Sequence, residues 1–410
     1  MTLSKSSALH YWSSRYGVLP LVGGRPAFSR NTAGAMADAR GEYFSALINT
    51  PRSGWEKDQA TSANEQRAML LLEQGGSNLL SYPETLGNAA WVKDAGCTVS
   101  DATADVVDPF GGNSASRVVI GTSGNGWKQT VSTTVASNSY VSSVWLRCPP
   151  GQSASVLADI IDGGTIRQTT FAVTDQWQRF SFITAFSGSA GTTIQVYFFI
   201  NALMTVYAFC ADLKLSKALS SAVRGSGAGP QSRAADALYW NFPVAVQGMI
   251  GHLRLVETGS GVLGATVASI INAAGSGTPN LILYGGGAGS GYILSHTETG
   301  TVTSQPSGAA NIGDTVDLLP ILFSDGSVQL IQSINGAAVT AGGRSAALAF
   351  AGSSWSDTKL WLNSQGTIGQ GLLKAADLKL VKYADVVAST AQGIADELRA
   401  FELSPAGDQL

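Results

Sequence analysis

From Asn78 onward the chain is a succession of short β-prone runs broken by tight-turn residues, which commits it to an antiparallel all-β fold. Ser116-Arg117-Val118-Val119-Ile120, Tyr140 to Arg147, Trp177 to Phe182, Ile194 to Ile200 and Val206 to Phe209 read as strands. Between such runs stand Asp108-Pro109-Phe110-Gly111-Gly112, Gly124-Asn125-Gly126 and Asp162-Gly163-Gly164. Later, Ser324-Asp325-Gly326-Ser327 and Asn335-Gly336 do the same work, and the last is a strong hairpin signal. One stretch follows the helical period instead. Ser389-Thr390-Ala391-Gln392 fits a capping box, and Ala391, Ile394, Ala395, Leu398 and Phe401 share one helical face.

A length of 410 residues implies two or three domains. Gln74 to Trp91 divides the chain: Gly75-Gly76 ends the apolar run Leu70-Leu71-Leu72, Asn78 restarts it, and Trp91 is the first large anchor beyond. The expected organisation is an attachment arm with a hairpin over 1–77, a jelly roll over 78–217, a linker over 218–233 and a second β-sandwich with the C-terminal helix over 234–410. The hairpin falls within 35–52, turning at Asp38 to Gly41. The linker is rich in Ser, Gly and Ala and carries Pro230. Ala211-Asp212-Leu213-Lys214-Leu215 returns as Ala376-Asp377-Leu378-Lys379-Leu380, as if each sandwich closed on a comparable strand.

Charged residues make up 13% of the chain and the net charge is -3, which argues against a nucleic-acid partner. Polar surface must therefore come from Gly, Ser, Thr, Asn and Gln. Cys97, Cys148 and Cys210 are too few and too far apart for a disulfide framework or a zinc site. Residues 1–20 lack a signal-peptide core, and no run approaches the ~18 apolar residues of a membrane span. The expectation is synthesis in a cytoplasm. In the N-terminal arm, Tyr11, Trp12, Arg15 and Tyr16 combine aromatic surface with positive charge, with no acid before Asp38. Such an arm suits docking on a partner.

No metalloprotease motif, phosphate loop or nucleophile elbow occurs, so no enzyme and no catalytic residue is expected. A structural calcium at Asp101, Asp105 and Asp108, or at Asp159 and Asp162, competes with simple turn capping. Sugar binding needs a flat aromatic face beside amides and hydroxyls. Trp127 with Asn125 and Gln129, Tyr284 and Tyr292 around the loop Gly285 to Gly291, and Trp355 with Ser353 and Ser354 have that composition. For each tryptophan, core packing is the competing reading. Trp91, Trp145 and Trp177 sit in strand-like runs and read as core.

Gln74 to Trp91, with its Asn78-Leu79-Leu80, resembles a sequence by which phage virion proteins enter a carbohydrate-binding-module-like jelly roll. Ser29-Arg30-Asn31-Thr32, the hairpin and Asn49-Thr50-Pro51-Arg52 resemble the segment that precedes it in phage tail proteins. The order of turns and strands after 234 resembles concanavalin-like (laminin-G-like) sandwiches. The resemblance implies a virion-located tail fibre, tail-tip or spike component. It would attach to other virion proteins through its arm, bind host-surface carbohydrate, and form a homo-oligomer, with a trimer expected. The alternatives are a head decoration or tail-stabilising protein and a polysaccharide depolymerase.

Overall fold

A computed structural model of the chain describes residues 8–13, 27–29, 34–37, 43–46, 52–57, 66–73, 75–133, 139–186, 191–216, 219–242, 248–256, 266–272, 280–285, 291–297, 300–311, 313–348, 358–362, 372–382 and 390–400. The fold is all-β, with one short helix. Before the jelly roll run β1 (Ala8–Ser13), β2 (Ala27–Ser29), β3 (Gly34–Ala37), β4 (Tyr43–Ala46), β5 (Arg52–Lys57), β6 (Gln66–Glu73) and β7 (Gly76–Asn78). The jelly-roll segment holds β8 (Val92–Lys93), β9 (Cys97–Ser100), β10 (Ser116–Ile120), β11 (Asn125–Ser132), β12 (Ser139–Arg147), β13 (Ala154–Asp162), β14 (Thr165–Val173), β15 (Gln178–Ala185), β16 (Thr193–Ile200) and β17 (Met204–Leu215). Then come β18 (Gln231–Arg233), β19 (Ala237–Phe242), β20 (Met249–Val256), β21 (Thr266–Asn272), β22 (Asn280–Gly285), β23 (Tyr292–Thr297) and β24 (Thr301–Ser304). The chain closes with β25 (Thr315–Leu322), β26 (Val328–Ile334), β27 (Thr340–Ala341), β28 (Thr358–Leu362), β29 (Leu372–Lys382) and α1 (Ala391–Ala400).

Local chemistry explains many of these boundaries. Gly163 and Gly164 both take positive φ between β13 and β14, the conformation that a two-residue hairpin requires. Asn335 and Gly336 do the same after β26. The expected hairpin is β3 with β4, where Ala37 faces Tyr43 in register. Thr390 caps α1 by accepting the Gly393 N–H at 3.1 Å, and Ile394, Ala395 and Leu398 are buried. The two echoed segments both lie in interior strands. β17 sits between β12 and β10, and β29 between β20 and β6.

The jelly-roll segment packs two antiparallel five-stranded sheets, β15-β12-β17-β10-β9 and β14-β13-β16-β11-β8. Their inner faces share one core containing Trp91, Trp127, Tyr140, Val144, Leu146, Ile160 and Phe198. Trp127 packs on Phe198 with ring centroids 5.5 Å apart.

The second sandwich departs from the expected boundaries. Its eight-stranded sheet runs β27-β26-β25-β20-β29-β6-β5, with β1 also paired to β29. Its seven-stranded sheet runs β2-β19-β28-β21-β22-β23-β24. Four strands of the segment expected as an arm therefore complete sheets made largely after residue 234. In particular, Leu70, Leu71, Leu72 and Glu73 pair with Ala375, Lys374, Leu373 and Leu372. An apolar run whose partner lies some three hundred residues away has no local signature of pairing, so it reads as the end of an arm.

The jelly roll is thus inserted between β6 and β19. It leaves and rejoins the larger sandwich on a two-stranded ribbon, β7 with β18, in which Asn78 faces Gln231 and Gly76 faces Arg233. Asn78 is fully buried. Its amide donates to Ala211 O at 2.9 Å and Val223 O at 3.2 Å, and its carbonyl accepts from Leu80 N at 3.1 Å and Leu213 N at 3.0 Å. Beside the ribbon, Arg233 pairs with Glu73 at 3.2 Å, and Asp236 accepts the Glu73 N–H at 2.9 Å.

Residues 219–233, expected as a linker, are packed down. Ala222 and Val223 are buried, Arg179 and Lys214 both donate to Ser220, and the Ser221 N–H donates to Glu73 at 2.6 Å. Small side chains suffice here because hydrogen bonds to Ser220 and Ser221 hold the segment together with the packing of Ala222 against Trp145 and Phe209. Replacing Asn78 with Ala strands two carbonyls and two N–H groups, a loss on the order of 3 kcal/mol. We expect denaturant unfolding followed by tryptophan fluorescence to show this loss, and an unchanged midpoint would refute the role given to Asn78.

Candidate functional site

The two jelly-roll sheets differ in what covers their outer faces. On the β15-β12-β17-β10-β9 sheet, Trp145, Phe209 and Cys210 are buried beneath Ala222 and Phe110. Phe110 meets Trp145 edge-on at 5.7 Å, and Arg224 lies 4.4 Å over the Phe110 ring. Arg224 also pairs with Glu84, and Arg179 sits 4.9 Å over Trp145. This face is closed.

The outer face of the β14-β13-β16-β11-β8 sheet is not overlaid in this way by the described residues. Strand alternation supplies its side chains. In β16, Ile194, Val196, Phe198 and Ile200 enter the core, so Gln195, Tyr197 and Phe199 face outward. In β13, Val156, Ala158 and Ile160 point in, which turns Leu157, Asp159 and Ile161 out. Register then assembles rows across the strands. One row is Val92, Lys128, Tyr197, Asp159 and Gln168. The next brings Gly126, Phe199, Leu157 and Thr170 together, and a third holds Thr130, Gln195, Ile161 and Ile166.

The aromatic pair is braced. Tyr197 and Phe199 stack with centroids 4.8 Å apart and planes inclined by 17°. The Tyr197 hydroxyl donates to Asp94 at 2.6 Å, while Lys128 donates to the same carboxylate at 2.7 Å and lies 4.8 Å from the Tyr197 ring centre. Burial by itself would raise the Asp94 carboxyl. Hydrogen bonds from Lys128 and Tyr197, the Lys128 charge and the Gly126 N–H outweigh it, holding Asp94 below the usual aspartate range. Burial first, and the Asp94 hydrogen bond and charge second, push the Tyr197 phenol up, so it stays a neutral donor. Glycine is required beside Phe199. A Cβ on Gly126 would lie 1.8 Å from the Phe198 carbonyl oxygen.

Asp159 is 5% exposed and accepts one hydrogen bond, from Gln168 at 2.9 Å. Burial raises its carboxyl above the usual range, and the Gln168 bond offsets this only in part. Gln195 donates to Thr130 at 2.8 Å. The face is therefore a short apolar ridge of Tyr197, Phe199 and Leu157, bordered by hydroxyls, amides and carboxylates.

The residues expected to bind sugar are not brought together. Trp127 is 0% exposed and belongs to the core, so it offers no face to a ligand. Gln129 is buried and clasps Ser81, accepting from its N–H at 2.7 Å and donating to its carbonyl at 3.0 Å. Asn125 donates to Ala95 O. Tyr292 is 5% exposed and faces Gly285, and the half-buried Tyr284 faces Ile293, one position away in register on the second sandwich, so strand alternation puts the two rings on opposite faces. Trp355, Arg15 and Tyr16 lie outside the described residues. Tyr11 and Trp12 sit on β1, where the backbone pairs with Lys379 and Leu378. Of the tryptophans read as core, Trp91 and Trp145 are buried, while Trp177 packs at the edge and donates to Val107 O at 2.8 Å. Tyr197 and Phe199 were missed because Ile194 to Ile200 reads as one apolar run. Its signal was the period-two alternation, with Gln195 marking the outward face.

The aspartates considered for calcium have separate tasks. Asp108 caps its turn, accepting from Phe110 N, Gly112 N and Ser114 N. Asp101 accepts from Gly87 N and Ser116 Oγ, and Asp105 pairs with Arg117. Asp159 faces outward and Asp162, three residues along the strand, points into the sandwich. Among the described residues no group of three or more His, Cys, Asp or Glu is placed to hold a metal ion.

No protein-family model matches the chain, and no curated protein does. Among solved structures it is similar to the CBM22-1 xylan-binding domain of Paenibacillus barcinonensis Xyn10C, at 20% identity and a TM-score of 0.28, over 35% of this chain and 96% of that one. The tandem CBM22-1-CBM22-2 domain of the same protein is similar at 12% identity and a TM-score of 0.28, over 75% and 98% of the two chains. A third similarity is to the enzymatically active domain of bacteriophage CBA120 tailspike protein 4, at 13% identity and a TM-score of 0.28, over 34% of this chain and 21% of that one.

Because its pKa is raised on folding, Asp159 favours the folded state below its unfolded pKa of about 4 and loses that contribution as pH climbs through the higher folded value. We therefore expect Asp159→Asn to raise the thermal midpoint at pH 7, with the gain shrinking toward pH 4. A lower midpoint at pH 7 would contradict the assigned environment.

Proposed function

We propose that this chain is a carbohydrate-binding component of a bacteriophage particle and that its sugar site is the outer face of the β14-β13-β16-β11-β8 sheet. The observation that carries the binding reading is the Tyr197–Phe199 ridge, set among Lys128, Asp159, Gln168 and Gln195 on the jelly-roll face that the described residues do not cap. Aromatic carbon packs against the C–H groups of a pyranose, and the amides and hydroxyls along the border meet its hydroxyls. Strands lie about 4.8 Å apart, so the five-residue row from Val92 to Gln168 is about 19 Å long. That matches a few sugar units lying across the strands.

The particle assignment rests on the sequence resemblance of residues 28–217 to phage tail proteins. The host-attachment role follows from joining it to the binding face. One shallow face of this kind binds with a Kd on the order of millimolar. Display in many copies on a homo-oligomer raises avidity by ~10²–10⁴ where the spacing fits the glycan array. We expect Tyr197→Ala and Phe199→Ala, each checked for retained folding, to weaken binding of the purified protein to host-surface polysaccharide at least ~10-fold. Wild-type binding by the double variant would remove the site from this face.

Binding without cleavage is the proposed mode. Asp94 is committed to Lys128, Tyr197 and Gly126, and Asp159 is buried against Gln168, so neither carboxylate is free to activate water. We expect no reducing ends to accumulate when host polysaccharide is incubated with the protein. Their release, abolished by Asp94→Asn or Asp159→Asn, would make the chain a depolymerase.

A further inference from the structure

We propose that Asp159 makes this face selective for uncharged glycan chains over anionic ones, an inference that rests on the carbohydrate reading above. The charges on the face carry it. Lys128 is matched by Asp94 at 2.7 Å, so this pair adds no net charge. Asp159 stands one strand further along the same row, between Tyr197 and Gln168, and its partner is the neutral Gln168 amide. No ion pair to Asp159 occurs among the described residues.

Nearby cations are turned elsewhere. Lys93 donates to the carbonyls of Gly87 and Asn88 at 2.7 and 2.6 Å. Arg167 follows the opposite alternation from Gln168 and lies 5.9 Å over the Phe186 ring of the core. A uronate or phosphate laid along the row would give up hydration and meet a carboxylate that no cation offsets. Leu157, Ile161 and the Tyr197 ring border that carboxylate, and apolar neighbours screen its field less than water would. A neutral chain meets no such repulsion. The exposed Gln168 offers its amide to neighbouring hydroxyls while the buried Asp159 beneath it acts through its charge, and Gln195 and Thr130 extend the polar border.

Affinity electrophoresis and calorimetry of the full chain at low ionic strength test this. The probes are neutral polymers (xylan, mannan, β-glucan and galactan) and anionic ones (alginate, polygalacturonate and phosphomannan). We expect wild type to bind at least one neutral polymer and every anionic polymer at least ~10-fold more weakly. Asp159→Asn should shrink that ratio several-fold. Gln168→Lys, a change at an exposed position, should shrink it further by giving the carboxylate a cation. Added salt should narrow the wild-type ratio. An anionic polymer bound as tightly as the best neutral one, or a ratio unmoved in both folded variants, overturns the selectivity while leaving the binding face standing. Failure of wild type to bind any polymer, or binding that survives Tyr197→Ala with Phe199→Ala, overturns the carbohydrate reading and the selectivity with it.

Discussion

The amide of Asn78 is the contact on which the inserted sandwich depends. A buried Asn offers two donors and an acceptor with two lone pairs, and this one satisfies all of them with main chain. Its partners are β17, the start of the jelly roll at Leu80, and Val223 in the returning segment. One side chain therefore fixes where the chain leaves the larger sandwich, where it comes back, and how both lie against the interior strand of one jelly-roll sheet. Val or Leu would fill the space but leave four main-chain groups stranded, and Asp would repel the two carbonyls.

Around that contact the returning segment does a second job. Buried ion pairs seldom add much net stability, because desolvation offsets their attraction. Here they specify position. Asp212 pairs with Lys214 at 3.0 Å and lies 3.5 Å from Arg179, and both cations hold the backbone near Ser220. Burial lowers the Lys214 amine, and the Asp212 charge works against that. The segment so fixed lies over Trp145 and Phe209 and removes that face from use. An asymmetry of the jelly roll follows, since one outer face is spent on internal packing while the described residues leave the other uncovered.

The open face shows a comparable economy. Asp94 belongs to no strand of the sheet, yet it sets the Tyr197 hydroxyl, the Lys128 ammonium and the Gly126 N–H at once. Three hydrogen bonds to one carboxylate keep it ionised and hold the aromatic ridge in place, which suits the binding proposed for this face. Pre-organisation of this kind lowers the entropic cost of binding at a shallow site.

Much of the fold was legible without coordinates. The all-β class, the 35–52 hairpin, the Asp162-Gly163-Gly164 and Asn335-Gly336 turns and the capped C-terminal helix are local events, set by propensity, periodicity and glycine geometry. So was the inward half of strand 194–200. Tertiary structure decided the rest. β1, β2, β5 and β6 complete a sandwich whose other strands lie beyond residue 234, because strand pairing depends on edges that meet in space. It also buried Trp127 and turned Tyr197 outward. Composition near a turn says which groups are present, while alternation and cross-strand register decide which of them share a face. Asp159 is the plainest case: in sequence it is one acid three residues from another, and only the pairing of β13 with β14 and β16 places it beside Gln168 and Tyr197, with no ion-pair partner among the described residues.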